Sequence, residues 1–203
     1  CTSWLRKNDQ KISPLYADYH ANMGDYFMKL SDAKVALFHY KIALAGWATI
    51  DGNRSFKYAL SLSRIARYYN FMISVDSALF YAEKAWLIIQ DNKIDPRIYP
   101  VYQILETYAY AFKVRKRSQG MGFNKATEKA RQLFIKALNF AADYHGSENA
   151  FSGNILRNIG NSYTDIVLNN RLTGADRHEP YYKGMQYYRS ALRMYHHYFG
   201  DVH

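Results

Sequence analysis

The chain has 203 residues, 49% of them apolar, and carries 27 Lys and Arg against 17 Asp and Glu. That length bounds it to one domain or one repeat array with a substantial core, and the apolar share excludes a disordered chain. The formal charge of +10 suits acidic peptides, nucleic acid or anionic lipid head groups as partners, and equally suits a surface that only keeps an array soluble.

In chain order, residues 1–13 carry no apolar period and read as a flexible leader. The single cysteine is Cys1, so a disulfide within the chain is excluded. A chain starting at Cys with a polar stretch behind it is expected to be either a bacterial lipoprotein acylated at Cys1 or a chain numbered from an arbitrary boundary. The first case places it lipid-anchored at the cell envelope, on the periplasmic side; the alternative is cytoplasmic. No run of about 18 apolar residues exists to span a membrane as a helix.

Ser13-Pro14 is a helix start, with Ser as N-cap and Pro at the first helical position. The spacing predicts helices over about 14–29 and 32–48, with Ser31-Asp32 as the break and cap between them, and Asp51-Gly52-Asn53 as the following turn. Helices over about 54–71 and 75–91 follow, closed by Asp91-Asn92-Lys93. Asp95-Pro96 opens the next segment, and Pro100 delays its helix, which runs to about Arg115. A basic run, Lys113 to Arg117, then leads into Gly120-Met121-Gly122. Helices over about 124–143, 149–169 and 179–198 complete the chain, with a long polar loop from Asn169 to Asp176 before the last. No alternating strand pattern of useful length occurs, so the class is all-α.

These helices pair into a repeat. Leu156, Ile159, Gly160 and Tyr163 share one helical face, and so do Gly184, Tyr188 and Ala191. The small members let two helices approach closely, while the tyrosines fill the wider gaps. Upstream, Met23, Gly24 and Phe27 precede Ala36, Tyr40 and Ala43. Leu62, Ile65, Ala66 and Tyr69 precede Ala78, Ala82 and Ala85, and Leu105, Tyr108, Ala109 and Phe112 precede Ala130, Phe134 and Ala137. Gly24 to Ala66 is 42 residues, Ala66 to Ala109 is 43, and Ala109 to Gly160 is 51, so the third copy carries an insertion. A fixed period in this range is a solenoid signature.

The small–aromatic pattern resembles the tetratricopeptide repeat (TPR) family. The period of 42, the linker His145-Gly146-Ser147-Glu148-Asn149-Ala150 and the terminal Gly200-Asp201-Val202-His203 resemble its kinesin-light-chain type. His20 stands where the family favours Trp, and Ala82 where an aromatic is usual. The resemblance implies a right-handed superhelical solenoid of about four antiparallel helix-turn-helix hairpins, over about 14–48, 54–91, 96–143 and 149–198. In such arrays the terminal linker leads into a further repeat.

Catalysis has no support. There is no GxSxG, P-loop or HExxH, and Gly120-Met121-Gly122 has no strand before it. His196 and His197 diverge by about 100° on a helix, so they do not face one metal together. No cofactor, metal or catalytic residue is expected. The resemblance places the first helix of each pair along a concave groove, and the residues flanking its buried face are Asn22, Asp25, Arg64, Arg67, Tyr110, Asn154, Arg157, Asn158 and Asn161. Asn donates to and accepts from a peptide backbone, and Arg forks onto a carboxylate. Groove asparagines act this way in kinesin-light-chain repeats, and the match extends to Asn22, Asn158 and Asn161 only. Lys113, Arg115, Lys116 and Arg117 form a basic patch that either complements a helix C-terminus or grips phosphates or an acidic partner segment. The expected function is a protein-interaction scaffold binding an extended or acidic segment of a partner in the groove. Alternatives are a sensor or assembly segment of a larger regulator and, behind it, single-stranded nucleic-acid binding.

Overall fold

The computed structural model describes residues 13–118, 123–147, 149–169 and 177–200, and these contain eight α-helices and no strand. Cys1 lies outside them, as do the side chains of Arg115, Lys116 and Arg117, whose backbone is helical. The chain divides into two compact units, Cys1–Ile94 and Asp95–His203.

The first unit holds α1 (Pro14–Lys29), α2 (Ala33–Ile50), α3 (Phe56–Phe71) and α4 (Val75–Asp91), each packed on the next. Their starts are set by local chemistry. The side chains of Ser13, Asp32 and Ser55 accept from the backbone N–H of Tyr16, Val35 and Tyr58, each satisfying a donor that the helix leaves orphaned. Small residues set the spacing: Ala17, Ala21, Ala36, Ala59, Ala66, Ala78, Ala82 and Ala85 are all fully buried. Gly24 marks the closest approach. A Cβ there would stand 2.4 Å from Cε1 of Tyr40, so the ring lies directly on the α1 backbone. The usual Trp position of the resemblance is filled by His20, buried and sharing an Nδ1···Nδ1 hydrogen bond of 2.7 Å with His39 of α2. His39 stacks in turn on Phe27.

The second unit holds α5 (Tyr102–Ser118), α6 (Phe123–His145), α7 (Ser152–Asn169) and α8 (His178–Phe199), again packed in sequence. Residues 96–98 form a turn, and α5 begins only at Tyr102, just after Pro100. Asp95 accepts from the guanidinium and then the backbone N–H of Arg97, which hold its carboxyl down at about 2. The linker after α6 is built by Gly146, at φ +90°, and by Asn149. The Asn149 amide donates to the Gly146 carbonyl at 2.8 Å, and its oxygen accepts from Ser152 N at 2.9 Å, which caps α7. Where α7 crosses α8, a Cβ on Gly160 would stand 2.9 Å from Cε1 of Tyr188 and 3.2 Å from the Gly184 carbonyl oxygen. Close approach at Gly160 and Gly184 is therefore what the small-residue pattern encodes.

Candidate functional site

Within each unit, the first helices of the two hairpins are joined by polar pairs placed seven residues apart. In the first unit Lys57 of α3 reaches Asp18 of α1 at 3.0 Å, and seven residues on, Arg64 donates from Nε to Asp25 at 3.1 Å. In the second unit Asn158 of α7 donates to Glu106 of α5 at 2.9 Å, and seven residues on, Asp165 accepts from Lys113 at 2.8 Å. Seven residues make about two helical turns, so each helix offers two polar groups on one line to its neighbour. The pairs fix the axial register that apolar packing alone leaves soft.

Asp25 is the most heavily used of these groups. Besides Arg64 it accepts from Arg67 Nη2 at 2.7 Å and from the Tyr40 hydroxyl at 2.8 Å. Burial, then the Asp25 carboxylate beside it, hold the Tyr40 phenol far above its ordinary range. Arg64 is mostly covered, whereas the Arg67 side chain remains 53% exposed. Arg67, Asp25, Met28, Lys29 and Tyr40 line an open recess of about 430 Å³.

The residues expected to line a groove therefore meet different fates. Arg64 and Asn158 hold the same place, two residues before Ala66 and Gly160, and both turn to a carboxylate of the preceding first helix. Asn161 accepts the Tyr188 hydroxyl at 2.8 Å and Asn154 accepts the Tyr195 hydroxyl at 2.9 Å, each within the α7–α8 hairpin. Asn22, Tyr110 and Arg157 are exposed. Of the basic run, Lys113 is buried and bound to Asp165, so it offers no charge to the surface; Arg115, Lys116 and Arg117 cannot be placed with it, since their side chains lie outside the described residues. Sequence reasoning passed over Asp18, Lys57, Glu106, Asp165 and Lys29. The seven-residue spacing of Asp18 with Asp25 and of Lys57 with Arg64 was the signal that marked the first two. Among the described residues no group of three His, Cys, Asp or Glu is placed to hold a metal ion, and no helix is long and apolar enough to cross a membrane.

The helical backbone matches solved structures. BtubC (BKLC) from P. vanneervenii aligns with a TM-score of 0.62 at 15% identity, over 93% of this chain and 66% of that one. A Podosopora anserina protein with nearly identical, kinesin-light-chain TPR-like repeats aligns with a TM-score of 0.57 at 13% identity, over 94% of this chain and 81% of that one. The chain has a TPR-like helical-repeat fold. A single-substitution form of the Podosopora anserina protein agrees, with a TM-score of 0.58 at 12% identity over 96% of this chain and 82% of its own length. The TPR-like chain spans just under two thirds of the BtubC structure. No protein-family model matches the sequence, and no curated protein matches it either. The likeness lies in the backbone, where small residues and aromatics alternate across helix seams.

Proposed function

We propose that this chain is a protein-interaction module that takes an extended, acidic segment of a partner against the first helices of its first unit, at the recess around Lys29 and Arg67. The observation that carries the reading is the charge of that recess. Arg64 and Arg67 share one carboxylate, Asp25, and Lys29 lines the same recess, so a net positive basin remains beside the apolar Met28. An incoming carboxylate meets the exposed side of the Arg67 guanidinium and the Lys29 ammonium, while the rest of the peptide lies along α1 toward the exposed Asn22.

The test is fluorescence anisotropy with a labelled, extended Glu-rich peptide and its Gln-substituted counterpart. Lys29→Glu is the informative variant, because Lys29 is exposed and takes no part in the Asp25 network. Loss of about tenfold in affinity on Lys29→Glu, with a parallel loss at raised salt, supports the reading. Equal binding by Lys29→Glu, or equal binding of the Gln peptide, overturns it. Reversing Arg64 and Arg67 together is a poorer test, since it places two new carboxylates beside Asp25 and disturbs the fold.

A further inference from the structure

On α8, Gly184, Tyr188, Ala191 and Tyr195 are spaced four, three and four residues apart and face α7. The opposite side carries a different line. Tyr182, Arg189 and His196 stand seven residues apart, one above another, with Arg193 and His197 beside them. All five are exposed. Leu192 borders the line and is 55% exposed, and Tyr182 is 61% exposed. Ser190, Arg193, Met194 and His197 enclose a shallow recess of about 400 Å³. The one carboxylate described on α8, Glu179, is held by Lys183 at 2.5 Å. The far side of α8 is thus a cationic stripe with apolar residues set into it.

We infer that this face of α8 docks an acidic, amphipathic α-helix of another protein. Tyr182 and Leu192 are more than half exposed on the same side of α8 as two arginines, so apolar area and positive charge are presented together on one helix face. A seven-residue repeat along a straight helix is the spacing that a second helix lying alongside reads. From Tyr182 to His197 the stripe extends about 22 Å, the length of about four helical turns. Glutamates at matching positions of the guest meet Arg189 and Arg193, and an apolar side chain between them enters the recess over Met194. A second copy of this chain is disfavoured, because the stripe would meet a stripe of the same sign. Nucleic acid is disfavoured too, since its affinity accumulates over several phosphate contacts and two arginines provide few.

The surface belongs to the second unit and does not rest on the recess around Lys29. The full chain is titrated into a labelled peptide of about three heptads bearing Glu and Leu on one face. Its Glu→Gln counterpart and an oligothymidylate serve as comparisons. Saturable binding of the Glu peptide, weakened about tenfold or more by Arg189→Glu with Arg193→Glu and unchanged by Lys84→Glu, a reversal at an exposed position of α4, is the expected result. Circular dichroism of the double variant, and a milder Arg189→Gln with Arg193→Gln pair, establish that the loss is not one of folding. No saturable binding, equal binding of the Gln peptide, tighter binding of the oligothymidylate or unaltered binding by both double variants overturns the inference.

Discussion

Arg64 donates its Nε–H to Asp25 across 3.1 Å and thereby ties the first helix of one hairpin to the first helix of the next. Arg67 and Tyr40 converge on the same carboxylate. One side chain so joins three helices of the first unit. The Arg64 side chain is 16% exposed and Asp25 is 32% exposed, so water screens the cluster only in part.

Asp25→Asn removes the charge and leaves Arg64 and Tyr40 with a poorer acceptor. A fully buried pair broken in this way costs about 3–5 kcal/mol, and partial exposure lowers the expectation here to about 1–3 kcal/mol. Urea denaturation followed by circular dichroism measures it. Lys57→Ala, whose pair with Asp18 has both partners about 40% exposed, is expected to cost under about 1 kcal/mol. Equal costs for the two variants would contradict this ranking.

Gly24→Ala gains about 1 kcal/mol of helix propensity yet drives a methyl group into the Tyr40 ring. Overpacking of this kind costs about 1–3 kcal/mol, and displacing Tyr40 also stretches its bond to Asp25. The net expectation is a loss of stability, read as a lower urea midpoint. A rise in the midpoint would show that Tyr40 swings aside freely.

Ile73 lies between α3 and α4 at φ +58°, a left-handed conformation that a β-branched residue resists, and its side chain is 81% exposed. Nothing in its packing compensates for that backbone. Ile73→Gly or Ile73→Asn is therefore expected to raise stability by about 1 kcal/mol. Ile73→Ala, which keeps the Cβ, should recover less of it, and a thermal melt of the three variants reads the order.

Burial holds the imidazoles of His20 and His39 below their ordinary value, His20 further through the charge of its neighbour; burial also lowers His145, which stacks on Phe151. The unfolded chain then binds more protons than the folded one between the lowered values and about 6.5. Stability is accordingly complete above about pH 6.5 and declines as the pH falls through that window. Urea midpoints measured between pH 7.5 and pH 5 test this. In a His20→Leu, His39→Leu protein the decline should be shallower; an unchanged slope would remove the pair as its source.

Helix formation was legible because it depends on near neighbours. Ser13 and Asp32 each accept from a backbone N–H three residues ahead, and Pro14 and Pro100 each set where a helix begins. The small residues were legible as seams for the same reason: Gly24, Gly160 and Gly184 recur at the period of the repeat, and a missing Cβ has one use between two helices. The partners of the polar residues were not legible. Arg64 and Asn158 read as groove residues because exposed helical positions that bear Arg or Asn look alike in sequence whatever faces them. Their carboxylates, Asp25 and Glu106, lie 39 and 52 residues away, because the third repeat carries an insertion and because the two carboxylates stand about one helical turn apart relative to Gly24 and Ala109. By itself the sequence determined where each helix starts, which face it buries and that hairpins repeat, since these follow from periodicity and local capping. Only the tertiary structure decided that Lys113 is spent inside the fold on Asp165 and that Lys29 and Arg67 are left beside an open recess. A charge is neutralised or left available by what packs across from it, and that neighbour is set by the path of the whole chain.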